Sequence, residues 1–317
     1  MKAVFLDRES LDRDDLDMGG LEAAVDELVY HERTAPAEVV ERLAGAEVAV
    51  VNKVVIDRES LAHLPDLKLV CVAATGVNNI DVEACREAGV AVANCQGYGT
   101  DSVAQHAIGL MLALATHMLD YQRAVARGDW GRSTQFCLLD YPIVELSGRT
   151  LGIVGLGTLG GRVAELGRAF GMDVRVAQRP GGKPEADRVP LEELLPQVDV
   201  LSLHCPLTEA TRGLIGPQEL AAMPSHALLI NTSRGGLVDE QALADALRAG
   251  RIGGAGFDVL TEEPPRNGNV LLEPDIPNLI VTPHSAWGSR EARQRIVGQM
   301  AENIGAFRRG RAVRRVD

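Results

Sequence analysis

The sequence predicts an α/β protein of two doubly wound parallel sheets, and three observations carry that expectation. Short apolar runs alternate with helical stretches along nearly the whole chain, a glycine-rich strand-turn-helix opens only after residue 150, and a last helical stretch, 290–307, closes it. Alternation of this kind favours parallel strands joined by helical crossovers. The runs 2–6, 47–51, 69–73 and 90–93 make a first layer. A second set begins at 151 and continues through 173–177, the run around Leu229, 252–258 and 279–281. Because the second set lies between the first and the closing helix, it reads as an insertion. Residues 1–98 with 287–317 then form one domain and 99–286 the other. Residues 102–127, rich in Ala, Leu and Met, read as one long helix joining them.

The stretch 151–160 is Leu-Gly-Ile-Val-Gly-Leu-Gly-Thr-Leu-Gly, which places Gly155, Gly157 and Gly160 in the spacing G-x-G-x-x-G ahead of helical periodicity over 162–170. One glycine of such a turn permits its backbone angles, one lets a pyrophosphate approach the main chain, and one lets the helix pack on the sheet. The helix N-terminus, here Thr158 and Leu159, faces the anion. Glycine-rich turns also end strands that bind nothing, so the context decides. The next strand, 173–177, ends about 20 residues beyond the turn, where an acidic residue would read the ribose of NAD. Gln178 and Arg179 stand there instead. Gln removes the repulsion of a 2'-phosphate and Arg can pair with it, which favours NADP(H) over NAD(H). Arg179 also reads as a solvated loop residue ahead of Pro180-Gly181-Gly182.

Hydride delivery to a 2-keto carbon leaves negative charge on oxygen, so such a site needs a proton donor and a fixed cation. His284, in Val281-Thr-Pro-His284-Ser-Ala, follows the run 279–281. Glu263, in Asp258-Val-Leu-Thr-Glu-Glu263-Pro, follows 252–258, and a carboxylate against the imidazole would favour its charged form and orient the ring. Arg234, in Leu229-Ile-Asn-Thr-Ser-Arg234-Gly, follows a third run, and its fork suits a carboxylate and the adjacent keto oxygen. Singly, each reads as a loop charge or a satisfied polar group. Together, each just past a strand of one nucleotide-binding sheet, they read as a catalytic set.

At these residues the chain resembles the D-isomer-specific 2-hydroxyacid dehydrogenase family, with blocks in family order at 151–160, 200–207 including His204-Cys-Pro206, 230–239, 257–264 and 282–288. The resemblance implies a Rossmann cofactor domain inserted into a flavodoxin-like substrate domain. It implies Arg234 as carboxylate and carbonyl binder, His284 as acid/base and Glu263, rather than Glu262, as its partner. Asp258 matches the position that holds the nicotinamide amide. Thr232, Ser233 and Pro206 match cofactor-lining positions, and His204, Cys205, Arg234 and His284 complete that set. The loop Ala74-Thr75-Gly76-Val77-Asn78-Asn79-Ile80-Asp81 resembles the family's substrate loop, in which amides around Gly76 and Val77 grip a carboxylate. It reads equally as a strand-to-helix loop with Asp81 as N-cap. Within the family, this loop and Pro283-His284-Ser285-Ala286-Trp287-Gly288 are most similar to the glycerate dehydrogenase, or hydroxypyruvate reductase, branch. Asn78 and Trp287 would then contact the terminal hydroxymethyl group, and Thr75 the substrate. Glyoxylate or another 2-keto acid stays open, as does a nucleotide-sensing scaffold without catalysis. The resemblance also implies a homodimer, with 102–127 at its surface.

Composition narrows the field further. A chain of 317 residues, 46% hydrophobic, can bury the cores of about two domains. Its formal net charge of -12 argues against nucleic acid. No opening segment has a basic-then-apolar pattern and no apolar run suits a bilayer, so a cytoplasmic location without membrane contact is expected. The five cysteines, Cys71, Cys85, Cys95, Cys137 and Cys205, lack metal spacing, so neither a disulfide nor a metal is expected. Cys205 reads as a packing or cleft-lining residue. His106 and His117 read as packing or interface residues, the 7–17 segment as a solvated face, and Arg308, Arg309, Arg311, Arg314 and Arg315 as charges complementing a helix end.

Overall fold

The computed structural model describes residues 1–183 and 185–317. Two compact units emerge, Met1–Gly99 with Gly288–Asp317, and Thr100–Trp287. Each divide falls one residue later than the sequence boundaries, so Trp287 travels with the inserted unit.

The first unit is built on five parallel strands, β1 (Lys2–Phe5), β2 (Glu27–Tyr30), β3 (Val48–Val51), β4 (Leu69–Val72) and β5 (Ala91–Ala93), in the order β2-β1-β3-β4-β5. This is the flavodoxin-like winding. Strands β3 and β4 are buried along their whole length, which explains why they read as unbroken apolar runs. Strand β2 escapes the sequence reading. It is an edge strand, half-exposed, and Glu27 pairs with Lys2 where an apolar residue would have announced it.

The inserted unit carries six parallel strands, β6 (Thr150–Val154), β7 (Asp173–Val176), β8 (Val200–Leu203), β9 (Leu228–Asn231), β10 (Gly254–Phe257) and β11 (Leu279–Val281), in the order β11-β10-β9-β8-β6-β7. The winding reverses between β6 and β8, and open α/β sheets bind ligands at such a point. One face packs Leu201, Leu229 and Phe257 against Leu243 and Leu247. The other packs Ile153 and Ile230 against Met111 and Val163. Gly256 lets the Thr100–Ala115 helix close onto the sheet, since a Cβ there would lie 3.0 Å from that of Leu110.

The single helix expected over 102–127 is two, Thr100–Ala115 and Met118–Ala126, meeting at 60°. No Gly or Pro marks the break. The backbone of His117 turns left-handed (φ 48°), its ring Nδ1 meets Asp120 Oδ2 at 2.9 Å, and the amide of Val144 takes the carbonyl of Ala115 at 2.9 Å. A return segment 27 positions downstream of the break (144 minus 117) thus ends the helix, and local sequence could not show it. Among the described residues no single helix is long and apolar enough to cross a membrane. The bent pair passes only together, and much of its first helix is sheet-packed.

Candidate active site

At the switch point, the turn after β6 is shaped by contact with β8. Gly155 has φ +98°, and a Cβ on it would meet the Cys205 amide nitrogen at 2.7 Å; one on Gly160 would lie 2.0 Å from the Gly155 carbonyl oxygen. Only glycine fits either place. Gly157, which caps the Thr158–Ala169 helix, instead faces open space, with nothing within 4 Å of where a Cβ would stand. The helix N-terminus at Thr158, Leu159 and Gly160 is thereby left approachable by a phosphate. Thr232 Oγ1, just past β9, is buried without a hydrogen-bond partner, a polar atom such as a bound ligand would satisfy. These features fit a dinucleotide.

The side chains beyond the strand ends differ in what they face. Cys205 is buried, which raises its thiol, and its carbonyl accepts from Ser233 Oγ at 2.7 Å. The carbonyl of Pro206 accepts from Thr211 Oγ1 at 2.7 Å. His204 places Nε2 2.8 Å from Ser202 Oγ, its Nδ1 is buried without a partner, and burial pushes the imidazole down to about 4. Its Cβ lies 3.2 Å from where a Cβ on Gly160 would stand, so the residue packs under the turn. Gln178, just past the end of β7, commits its side chain to its own loop. Its amide donates to the carbonyls of Glu185 (2.9 Å) and Arg188 (3.1 Å) and accepts from the Glu185 amide (3.0 Å), pinning the loop after β7. Arg179 is exposed and lies 3.7 Å from a Glu185 carboxylate oxygen.

The catalytic candidates rise from three neighbouring strands. Asn231 of β9, Phe257 of β10 and Val281 of β11 stand side by side in register, so Arg234, Glu263 and His284 project from one sheet end. Arg234 is exposed, and its carbonyl is held by Asn231 Nδ2 at 2.9 Å. Gly235 behind it packs so closely that a Cβ would meet the Leu260 carbonyl carbon at 2.0 Å, which ties the Arg234 loop to the Glu263 loop. Glu263 uses both carboxylate oxygens: one accepts from the Leu260 amide (2.8 Å), the other faces His284 Nδ1 at 2.5 Å. Glu262 faces away, accepting from Asn267 Nδ2 at 3.0 Å. The Glu263–Pro264 peptide is cis. With Nδ1 donating to a carboxylate, Nε2 of His284 is the atom left to give or take a proton.

His284 has φ +51°, unfavourable for a side-chain-bearing residue, and buried Asp258 holds it there. One Asp258 oxygen accepts from Thr282 Oγ1 (2.6 Å) and the Ser285 amide (2.9 Å), the other from the Ala286 amide (2.8 Å). Asp258 is 1% exposed, and its carboxylate holds the His284 turn.

In the other unit, the loop after β4 is tied down at its ends. Thr75 Oγ1 donates to the Cys95 carbonyl (2.9 Å), Asn94 Nδ2 to the Thr75 carbonyl (2.7 Å) and Asn79 Nδ2 to the Val54 carbonyl (2.8 Å). Asp81 caps the Val82–Glu87 helix through the Ala84 amide. Among the described residues none accepts from the amides of Gly76, Val77 and Asn78, so the loop that caps the helix also leaves three amides unpaired. The sequence reading placed Asp7 in a solvated face; its carboxylate is instead buried and orders the loop after β3 through the amides of Asn52 (2.9 Å) and Lys53 (2.6 Å), and Leu11 and Asp12 are buried with it. Its only signal was position, directly after an apolar run. Among the described residues no three metal-ligating side chains converge.

Residues 108–286 match the model of the D-isomer specific 2-hydroxyacid dehydrogenase NAD binding domain. The chain belongs to this family and is a nicotinamide-dependent dehydrogenase of 2-hydroxy acids. It is 47% identical to a glycerate dehydrogenase of Methylorubrum extorquens (98% of this chain, 97% of that one). It is 38% identical to a hydroxypyruvate reductase of Blautia hydrogenotrophica (99% and 98%). Among solved structures, an acyclic imino acid reductase in complex with NADPH and D-Arg superposes with TM-score 0.84 at 28% identity, both chains covered in full.

Proposed function

We propose that this dehydrogenase reduces hydroxypyruvate to D-glycerate, with NADP(H) preferred over NAD(H). The Glu263–His284 contact at 2.5 Å carries the reading, because it fixes the ring through Nδ1 and leaves Nε2 as the atom that exchanges a proton with the substrate. When bound, the reduced nicotinamide supplies the hydride. Arg234 holds the substrate carboxylate and draws charge onto the keto oxygen, the free amides of Gly76 and Val77 grip the carboxylate, and His284 protonates the oxygen as negative charge develops. Glu263 orients the His284 ring through Nδ1. Asn78 and Trp287 are assigned to the hydroxymethyl end. The two relatives that share nearly the full chain, one named for glycerate and one for hydroxypyruvate, support this substrate.

The cofactor preference rests on Gln178, which puts no carboxylate at the end of β7, and on the exposed guanidinium of Arg179. Oxidation of NADPH and NADH should be followed with hydroxypyruvate, glyoxylate and pyruvate. Hydroxypyruvate with NADPH is expected to turn over fastest; pyruvate as the clear favourite would overturn the substrate, and faster NADH the cofactor. Arg179→Ala should weaken NADPH binding by about 1 to 3 kcal/mol and barely touch NADH. Equal losses would remove Arg179 from the phosphate site.

A homodimer is also proposed. Met118, Val125, Trp130, Phe136, Leu139 and Ile143 are all more than half exposed within one segment, more apolar surface than a lone subunit usually leaves wet. Sedimentation that shows a monomer at micromolar concentration would dismiss it.

A further inference from the structure

The turn that carries His284 is gripped from a second side, by the helix Thr100–Ala115. Ser102 and His106 lie four residues apart on that helix, hence on one face. Ser102 Oγ donates to the Ala286 carbonyl at 2.6 Å, and His106 Nε2 lies 2.9 Å from Thr282 Oγ1. Thr282 and Ala286 are two residues before and two after His284, so the helix clamps the turn symmetrically about the imidazole.

The direction of the His106 bond follows from donor counting. Thr282 has one hydroxyl proton, and its near neighbours besides His106 are acceptors only, Asp258 Oδ1 at 2.6 Å and the Phe257 carbonyl at 3.4 Å. That carbonyl already accepts from the Thr282 amide at 2.8 Å. The proton goes to Asp258, leaving the oxygen as acceptor towards His106. His106 must therefore carry its proton on Nε2. The chain His106 to Thr282 to Asp258 runs in one direction and ends on the carboxylate that holds the Ser285 and Ala286 amides.

We propose that His106 is a positioning residue for the hydride-transfer reaction: its Nε2 proton, through Thr282 and Asp258, holds the left-handed turn that aims His284. The inference rests on His284 as the proton donor. Without that proton the Thr282 hydroxyl is free to rotate away from Asp258, and the turn relaxes from its unfavourable φ. His106→Leu removes the donor and keeps apolar bulk. His106→Gln keeps an N–H donor at nearly the same reach as Nε2.

The test compares both variants with the wild type in kcat, KM, NADPH affinity and the His284 Cε1–Hε1 NMR resonance, assigned by its loss in His284→Gln. His106→Leu should lower kcat by about 10- to 100-fold, as small misplacements of a reacting group do. KM and NADPH affinity should stay within about twofold, since neither ground state uses the His284 proton. The His284 resonance should move. His106→Gln should recover most of kcat and the wild-type resonance. Equal loss in Gln and Leu, unchanged kcat in Leu, or an unmoved resonance would overturn the proposal. Should the wild type reduce none of the keto acids, the proposed reaction falls, and the resonance alone then decides whether His106 holds the turn.

Discussion

The two units use their strand ends in opposite ways. In the inserted unit the loops after β9, β10 and β11 present charged side chains, and a buried carboxylate, Asp258, is dedicated to fixing one of them. In the unit of Met1–Gly99 and Gly288–Asp317, the loop after β4 presents main-chain amides, while Thr75, Asn79 and Asn94 hold the loop itself. Proton transfer needs a titratable atom at a set distance, which a side chain supplies. Carboxylate binding needs only N–H groups that remain unpaired, which backbone supplies without any particular residue type. Mutations should accordingly act on turnover in one unit and on substrate affinity in the other.

The harshest way to break this contrast is His284→Ala. Loss of the proton donor should lower kcat by about 100- to 10,000-fold while NADPH binds as before. Cofactor titration by fluorescence, beside steady-state kinetics, checks both halves. Unchanged turnover would mean that His284 is not the proton donor and end the distinction between the units.

Much of the contrast is legible in the amino-acid sequence. Arg234, Glu263 and His284 stood out because each follows an apolar run, and in a parallel sheet that places them at one end. The cofactor turn is equally open, since its glycine spacing falls between an apolar run and a helical periodicity. What the sequence hid was contact between distant segments. The break at His117 depends on Val144, the Gln178 amide is claimed by Glu185 and Arg188, and Asp258 serves residues 24 to 28 positions away. His106 looked like packing because nothing local links it to Thr282, 176 residues on.

Acid should sharpen the comparison, because the strand ends of the inserted unit also hold His204. Its folded imidazole sits at about 4, below the ordinary 6.5. Both folded and unfolded chains keep it neutral above that ordinary value. As pH falls through 6.5, the unfolded chain takes up a proton that the folded chain refuses until about 4, so stability present at neutral pH is lost in that window. Between pH 7 and 5 the loss is about 2 kcal/mol. Urea unfolding at both values should show His204→Gln losing less than the wild type by about that amount. Parallel losses would mean that His204 is not held neutral.

The smallest effect is expected where the loop after β4 is anchored. Thr75→Val keeps the shape and removes one hydrogen bond, the donation to the Cys95 carbonyl at 2.9 Å. Such a bond contributes about 1 kcal/mol, and losing it lets the amides of Gly76 and Val77 wander without removing either. If those amides bind the carboxylate equally in the ground and transition states, KM should rise about fivefold with kcat unchanged. A fall in kcat at constant KM would instead put this loop to work on the transition state, and the division of labour between side chains and backbone would fail at its quieter end.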